Sequence, residues 1–220
     1  MANVLICGDT HHPFCLDGYL EFCKSKVKKY NINKVVHIGD LIDSHYSSFH
    51  ETDADGLGGK DELELAIKKI SKWYRAFPKV TVVIGNHDRM AHRKATTSNV
   101  PSAWIREYRD VLKVPNWDFV TRTEIDGVQY VHGEGGTART RAKNDMMSTV
   151  QGHLHTQCYV DWMAGPMKRI FAMQVGCGID REAYSMAYAK EHKHPFIGCG
   201  VVIDGEVPIV FSMPLKNRSK

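Results

Sequence analysis

The sequence predicts an α/β fold that begins with a parallel sheet. Val80-Thr81-Val82-Val83-Ile84 is a run of five β-formers, four of them apolar, closed by Gly85. A run of this kind is a strand buried on both faces, the sort found in α/β sheets. Two similar runs precede it, Asn3 to Gly8 and Lys34 to Ile38. Segments with helical period lie between them, so the first 88 residues alternate β-α-β-α-β. That order implies a parallel sheet with right-handed crossovers.

The first helix is expected over Leu16 to Tyr30, where Leu16, Leu20, Cys23 and Val27 recur at steps of three and four opposite a set of lysines. Asp17 is placed to cap it. The second strand ends at Gly39-Asp40-Leu41-Ile42-Asp43. Ser44 to Lys60, rich in His, Ser, Asp and Gly, reads as a long loop. Asp61 to Phe77 is amphipathic, with Leu63, Ala66, Ile67, Ile70, Trp73 and Tyr74 on one face. Past the third strand, Arg89 to Val100 reads as a second polar loop and Pro101 to Leu112 as a short helix.

From there the pattern becomes sheet-rich. Phe119 to Ile125 and Val128 to His132 flank Asp126-Gly127, a pair suited to the left-handed residues of a hairpin turn. A helix over Thr137 to Met147 and a strand over Ser148 to Gln151 follow. Further strands are expected at Tyr159 to Trp162, Lys168 to Val175, Gly198 to Asp204 and Pro208 to Met213, with a helix at Asp180 to Glu191. There is no repeat or linker. The reading is one domain, 1–220, with two sheets, the first parallel-dominated and the second mixed, and polar loops near 44–60 and 89–100.

Composition narrows the class. A hydrophobic share of 43% and a charged share of 25% suit a soluble globular domain. The net charge of +4 fits an anionic substrate without requiring one. The six cysteines form no Cys-x-x-Cys pair and several sit in apolar runs, which points to core thiols in a reducing compartment. No apolar run is long enough to span a bilayer, and the amino terminus enters a strand without a signal-peptide layout. A cytoplasmic protein with no membrane partner is expected.

Five strands, taken in chain order, end in groups that bind metals or move protons. They are Asp9/His11, Asp40/Asp43, Asn86/His87/Asp88, His132, and His153/His155. Singly, each is an ordinary polar turn. Together they lie at carboxyl ends of β-runs, and in a folded sheet those ends gather on one rim, where open α/β folds place their sites. Glycine precedes the group in four cases, Gly8, Gly39, Gly85 and Gly152, which fits positive φ or close backbone approach.

This ordered set resembles the calcineurin-like metallophosphoesterase superfamily, through Asp9-Thr10-His11, Gly39-Asp40-Leu41-Ile42-Asp43, Gly85-Asn86-His87-Asp88, His132-Gly133 and Gly152-His153-Leu154-His155. The resemblance implies a four-layer α/β/β/α sandwich of two mixed sheets flanked by helices, with two divalent metal ions at the rim. It implies that Asp9, His11 and His155 hold one ion and Asn86, His132 and His153 the other, bridged by Asp40. His87 then sits over the substrate phosphate and Asp88 orients it. Asp43 is expected either behind the ligands or in a plain turn. Independently of the family, mixed His, Asp and Asn ligands suit borderline metals, Mn²⁺ first, with Fe, Ni²⁺ or Zn²⁺ as alternatives.

Three details bear on the branch. Asp43 is followed by Ser44-His45, and His87 by Asp88, where the family's protein Ser/Thr phosphatases carry Arg-Gly and Glu. The double-histidine ending resembles the phosphodiesterase and nuclease branches instead. His12, where glycine is frequent, reads as an exposed bystander, and Glu134 either tunes the second metal or faces solvent. Substrate choice is expected in the polar loops, through His45 and His50, then Arg89, His92, Arg93 and Lys94, with Arg139 and Arg141 beyond the glycine-rich turn. Arginine suits a phosphate clamp. The expectation is a metal-dependent phosphodiesterase acting on nucleic acid or nucleotides. A phosphomonoesterase, protein phosphatases included, is the alternative, and a non-catalytic metal-binding scaffold a more distant one.

Overall fold

The computed structural model describes residues 1–48, 55–183 and 194–215. In chain order the first elements are β1 (Asn3–Cys7), α1 (Tyr19–Lys29), β2 (Lys34–His37), α2 (Gly59–Ala76), β3 (Thr81–Val83), α3 (Met90–Thr97) and α4 (Tyr108–Val111). Next come β4 (Asp118–Val120), β5 (Thr123–Ile125), β6 (Val128–Val131), α5 (Ala138–Asp145) and β7 (Ser148–Gln151). The last four are β8 (Cys158–Ala164), β9 (Arg169–Val175), β10 (Gly198–Ile203) and β11 (Val207–Ser212).

The strands form a six-stranded sheet, β11-β10-β1-β2-β3-β4, and a five-stranded sheet, β5-β6-β7-β9-β8. Both are mixed. β1, β2, β3 and β4 are parallel neighbours, as are β6, β7 and β9, while β10, β11, β5 and β8 join antiparallel.

The period-two alternation of side chains builds the layers. On β1, Leu5 and Cys7 face a core shared with Tyr19 and Cys23 of α1 and Ala66, Ile70 and Trp73 of α2. Val4 and Ile6 point the other way, into a core shared with Val128, Tyr130 and Val150 of the second sheet. β9 does the same on its side, sending Phe171, Met173 and Val175 between the sheets and Ile170 and Ala172 against Ala138 and Ala142 of α5. Both faces of each sheet are covered, which makes the four-layer α/β/β/α sandwich. On β3, Val82 belongs to the outer core and Val83 to the inner one, so that strand is buried on both faces as expected.

Several elements differ from the sequence expectation. The single strand over Phe119 to Ile125 is two, β4 in the first sheet and β5 in the second, with the chain crossing between sheets at Thr121 and Arg122. The Asp126-Gly127 turn does join β5 to β6, with both residues at positive φ (49° and 74°). β10 and β11, which the sequence assigned to neither sheet, join the first, because β10 pairs along the free edge of β1. The polar loop after β3 contains α3. Only Met90 of that helix is buried, so no apolar stripe announced it. Pro101 to Leu112 is a 3₁₀ turn at Ser102–Trp104 followed by the single turn of α4, separated by Ile105 in extended conformation. Asp17 does not cap α1, whose N-cap is Gly18 with no side-chain bond. Most of the helix expected over Asp180 to Glu191 lies outside the described residues, as does His50. No described helix is long and apolar enough to cross a membrane.

Candidate metal centre

Because β1, β2 and β3 are parallel in one sheet and β6 and β7 in the other, their carboxyl ends meet at one rim. The turns that follow pack backbone against carboxylate. A Cβ on Gly85 would collide with the Asp40 carboxylate, and one on Gly152 with that of Asp9. Glycine is therefore required at both places for steric reasons. Three side chains at the rim sit on left-handed backbone, His11 (φ 46°), Asp40 (φ 48°) and His153 (φ 66°). Each such residue costs on the order of 1–3 kcal/mol, tolerated where a site over-determines the geometry.

The geometry brings together two groups of donors. Asp9, His11, Asp40 and His155 form one, and Asp40, His132 and His153 the other, with the donor atoms of each group within 4.8 Å of one another. Asn86 joins the second group, its Oδ1 2.9 Å from His132 Nε2. Asp40 is common to both. Its Oδ2 lies 3.6 Å from His11 Nε2 on one side and 3.2 Å from His132 Nε2 on the other. Asp9 Oδ2 lies 3.2 Å from His155 Nε2, and the Nε2 atoms of His11 and His155 are 3.1 Å apart. Imidazole nitrogens converging among carboxylates suit a shared cation. So does Asp9 Oδ1, a buried carboxylate oxygen with no protein partner. The residues present fit two divalent ions.

Burial and charge act in opposite senses on these groups. Burial opposes the ionised form of Asp40, yet the surrounding imidazoles, His132 foremost, hold its carboxyl well below the usual range. Burial also opposes the His132 cation, but Asp40 outweighs it and raises the ring to about 10. His11 and His153 are pushed down, chiefly by burial, which favours neutral imidazoles with free lone pairs.

A third grouping, His11, Asp43 and His87, overlaps the first and is explained without an ion. His11 Nδ1 donates to Asp43 Oδ1 at 2.7 Å, which fixes the ring with Nε2 toward Asp40. His87 Nδ1 donates to the Asp43 carbonyl at 2.6 Å. Asp88 does not orient His87. Its two oxygens accept the backbone amides of Ile42 (3.1 Å) and Gly85 (2.8 Å), clamping the turn after β3 to the loop after β2. The orienting group is Asp43. Burial opposes the His87 cation, but the charges of Asp40 and Asp43 raise its pKa overall.

Three buried groups behind the rim were not singled out as site residues from the sequence. His37, at the end of β2, meets Thr10 Oγ1 at 2.9 Å and so ties the turn after β1 to its neighbour. Glu62 of α2 is only 2% exposed, and its Oε1 accepts the His45 amide at 3.0 Å, with the Tyr46 and Ser44 amides also favouring its charge. That nest holds the turn next to Asp43. The third is His12, which is buried rather than exposed, with both ring nitrogens unpartnered. It shares a cavity of about 20 Å³, room for one water, with Ser44, Tyr46 and Glu62.

Burial and Asp43 push the Glu62 carboxyl up to about 7. With the folded pKa above the ordinary 4.5, the folded state keeps a proton that the unfolded chain has released. The resulting stability is complete below about 4.5 and lost as pH rises through 7. Glu62→Gln removes that loss. In chelator-treated protein its Tm relative to wild type should be higher at pH 8 than at pH 5 by at least about 3 °C. Equal differences at the two pH values would refute the assignment.

The residues proposed for substrate contact are placed unevenly. His45 is buried beside the centre, its Nδ1 3.9 Å from Asp43 Oδ2. Arg89 is ion-paired with Glu134, which links the turn after β3 to the turn after β6. His92 stacks on Tyr108 at 4.7 Å. Arg93 lies exposed on α3. Arg139 and Arg141, by contrast, are not gathered over the donors. They project from α5 and are engaged by Asp161 and Asp145.

Two interpacked mixed sheets flanked by helices, with two carboxylate-linked donor clusters at their strand ends, define a dinuclear metal-binding protein of the metallophosphoesterase type. A family model described as calcineurin-like phosphoesterase matches residues 2–172, and the chain belongs to that family. No curated protein matches it. Among solved structures, an archaeal phosphodiesterase shares 13% identity and a TM-score of 0.50, over 96% of this chain and 99% of the other. Vacuolar protein sorting 29 from Cryptosporidium parvum shares 14% and 0.46, over 96% and 98%. YfcE, a phosphoesterase from E. coli, shares 12% and 0.44, over 90% and 87%. At 13% identity the likeness to the archaeal protein speaks to the fold alone.

Proposed function

We propose that this chain is a metal-dependent phosphodiesterase that hydrolyses nucleic acid or nucleotide phosphodiesters at a two-metal centre, with Mn²⁺ first among the borderline metals. The observation that carries the reading is Asp40 Oδ2, set between His11 Nε2 and His132 Nε2. Asp9, His11, Asp40 and His155 would hold one ion, and Asp40, Asn86, His132 and His153 the other. When bound, the pair supplies an activated water and positive charge for the phosphoryl oxygens.

The chain's own residues do the rest. Asp43 O fixes His87 through Nδ1, which leaves Nε2 to donate a proton to the leaving oxygen. The raised pKa of His87 favours that protonated form. Asp43 also holds His11 in its ligand orientation. The phosphodiester preference is supported by Ser44-His45 after Asp43, Asp88 after His87, and the His153/His155 pair, all unlike the protein phosphatase pattern. Six cysteines without a disulfide support a cytoplasmic setting.

The test is a comparison of two chromogenic esters with Mn²⁺-loaded protein. Bis-p-nitrophenyl phosphate should be hydrolysed at least about tenfold faster than p-nitrophenyl phosphate, each 1.4 kcal/mol of barrier being worth a factor of ten. The opposite preference would replace the diesterase reading with a monoesterase one.

A further inference from the structure

The segment from Arg89 to Arg109 carries five basic side chains, Arg89, Arg93, Lys94, Arg106 and Arg109, against one carboxylate, Glu107. That excess equals the formal net charge of the entire chain, +4. Within the same segment Trp104 is 80% exposed. The other three tryptophans differ. Trp73 and Trp117 are buried, and Trp162 lies under the Arg169 guanidinium, 4.5 Å from its ring centre.

Trp104 closes the 3₁₀ turn Ser102–Trp104, which packs on α3. α3 starts three residues after His87, and an eight-residue helix is about 12 Å long, so the turn lies within reach of the rim. Aromatic stacking stiffens the segment. His92 of α3 lies on Tyr108 at 4.7 Å, and Tyr108 on Phe119 of β4 at 5.2 Å. The Arg89–Glu134 ion pair fastens its start to the end of β6. Arg109 pairs with Asp118 at 3.9 Å, which leaves Arg93, Lys94 and Arg106 as the segment's other basic side chains. An exposed indole on this support, in a segment of net positive charge, matches what a flexible polyanion with flat bases requires. Aromatic faces stack any base, and basic side chains follow the phosphates.

We propose that Trp104 and the basic segment 89–109 form a binding platform for single-stranded nucleic acid, on which a base a few nucleotides from the scissile phosphate stacks. For the reaction this rests on the diesterase reading, while the binding itself does not. Stacking on the indole needs an unpaired base, so a duplex is disfavoured, and no base-edge contact is involved, so sequence matters little.

The experiment measures fluorescence anisotropy of labelled dT12 with the chelator-treated full chain, and turnover of the same oligonucleotide with the Mn²⁺-loaded chain. Trp104→Ala should weaken dT12 binding about tenfold and Trp104→Phe less than about threefold, the size of one lost stack. The ratio of kcat/KM for dT12 to that for bis-p-nitrophenyl phosphate should fall about tenfold in Trp104→Ala. Arg106→Ala should lower the slope of log Kd against log salt by about 0.7. Equal dT12 affinity in wild type and Trp104→Ala, or none measurable in wild type, overturns the platform. If the platform binds but bis-p-nitrophenyl phosphate is not hydrolysed, the diesterase reading fails and the platform stands.

Discussion

Asp40→Ala should lower phosphodiester turnover by at least about 10³-fold and reduce bound Mn²⁺ from two per chain to one or none. Asp40 is the one side chain common to both donor clusters among the described residues. Its Oδ2 faces His11 and His132 together, at 3.6 and 3.2 Å. Its Oδ1 has another task, accepting the His87 amide at 2.8 Å, so truncation also releases the turn that presents His87. Asp40→Asn separates the two effects. It keeps the shape and an acceptor for that amide but removes the charge that offsets two cations, so metal should still be lost. Elemental analysis after Mn²⁺ loading, read beside the rate on bis-p-nitrophenyl phosphate, checks both variants. Two tightly held ions and near-normal turnover in Asp40→Ala would end the bridging assignment.

His87→Ala should cost about 10²–10⁴-fold in kcat while leaving two Mn²⁺ bound. The ring is tied through Nδ1 to the Asp43 carbonyl and stands edge-on to His11 at 4.6 Å, outside the two clusters that share Asp40. A proton donor matters most when the leaving oxygen is a poor leaving group. The loss should therefore be larger for an oligonucleotide, which expels an alkoxide, than for bis-p-nitrophenyl phosphate, which expels a phenolate. Stopped-time assays on the two substrates give that ratio directly. Loss of metal in His87→Ala would make the ring a ligand instead, and equal losses on both substrates would remove its role as an acid.

The donors of the rim were legible because each follows a β-run, and strand ends are local features. Asp9, His11, Asp40, Asn86, His132, His153 and His155 converge in the structure for that reason. The supporting shell was less legible. Asp88 is adjacent to His87 in sequence and was expected to orient it, yet its oxygens close backbone turns instead. Arg139 and Arg141 follow the glycine-rich turn after His132, but α5 packs on the outer face of the second sheet and supplies other partners. α3 was missed because a helix that buries only Met90 leaves no periodic trace.

By itself the sequence determined most of the strands and helices, with α3 and the division of β4 from β5 as exceptions, the buried alternation of the strands, and the polar groups at five strand ends. These follow from side-chain period and turn chemistry, which act over a few residues. Only the tertiary structure decided which strands share a sheet and which buried groups hold the donors in place. The crossing at Thr121 and Arg122, the pairing of β10 with β1, the Asp43 carbonyl on His87 and the Glu62 nest all belong to that second set. Their partners are far off in the chain, as with Glu62 and His45, 17 residues apart, or in another sheet. A hydrogen-bond acceptor that far off is chosen by packing, which no local window of sequence contains.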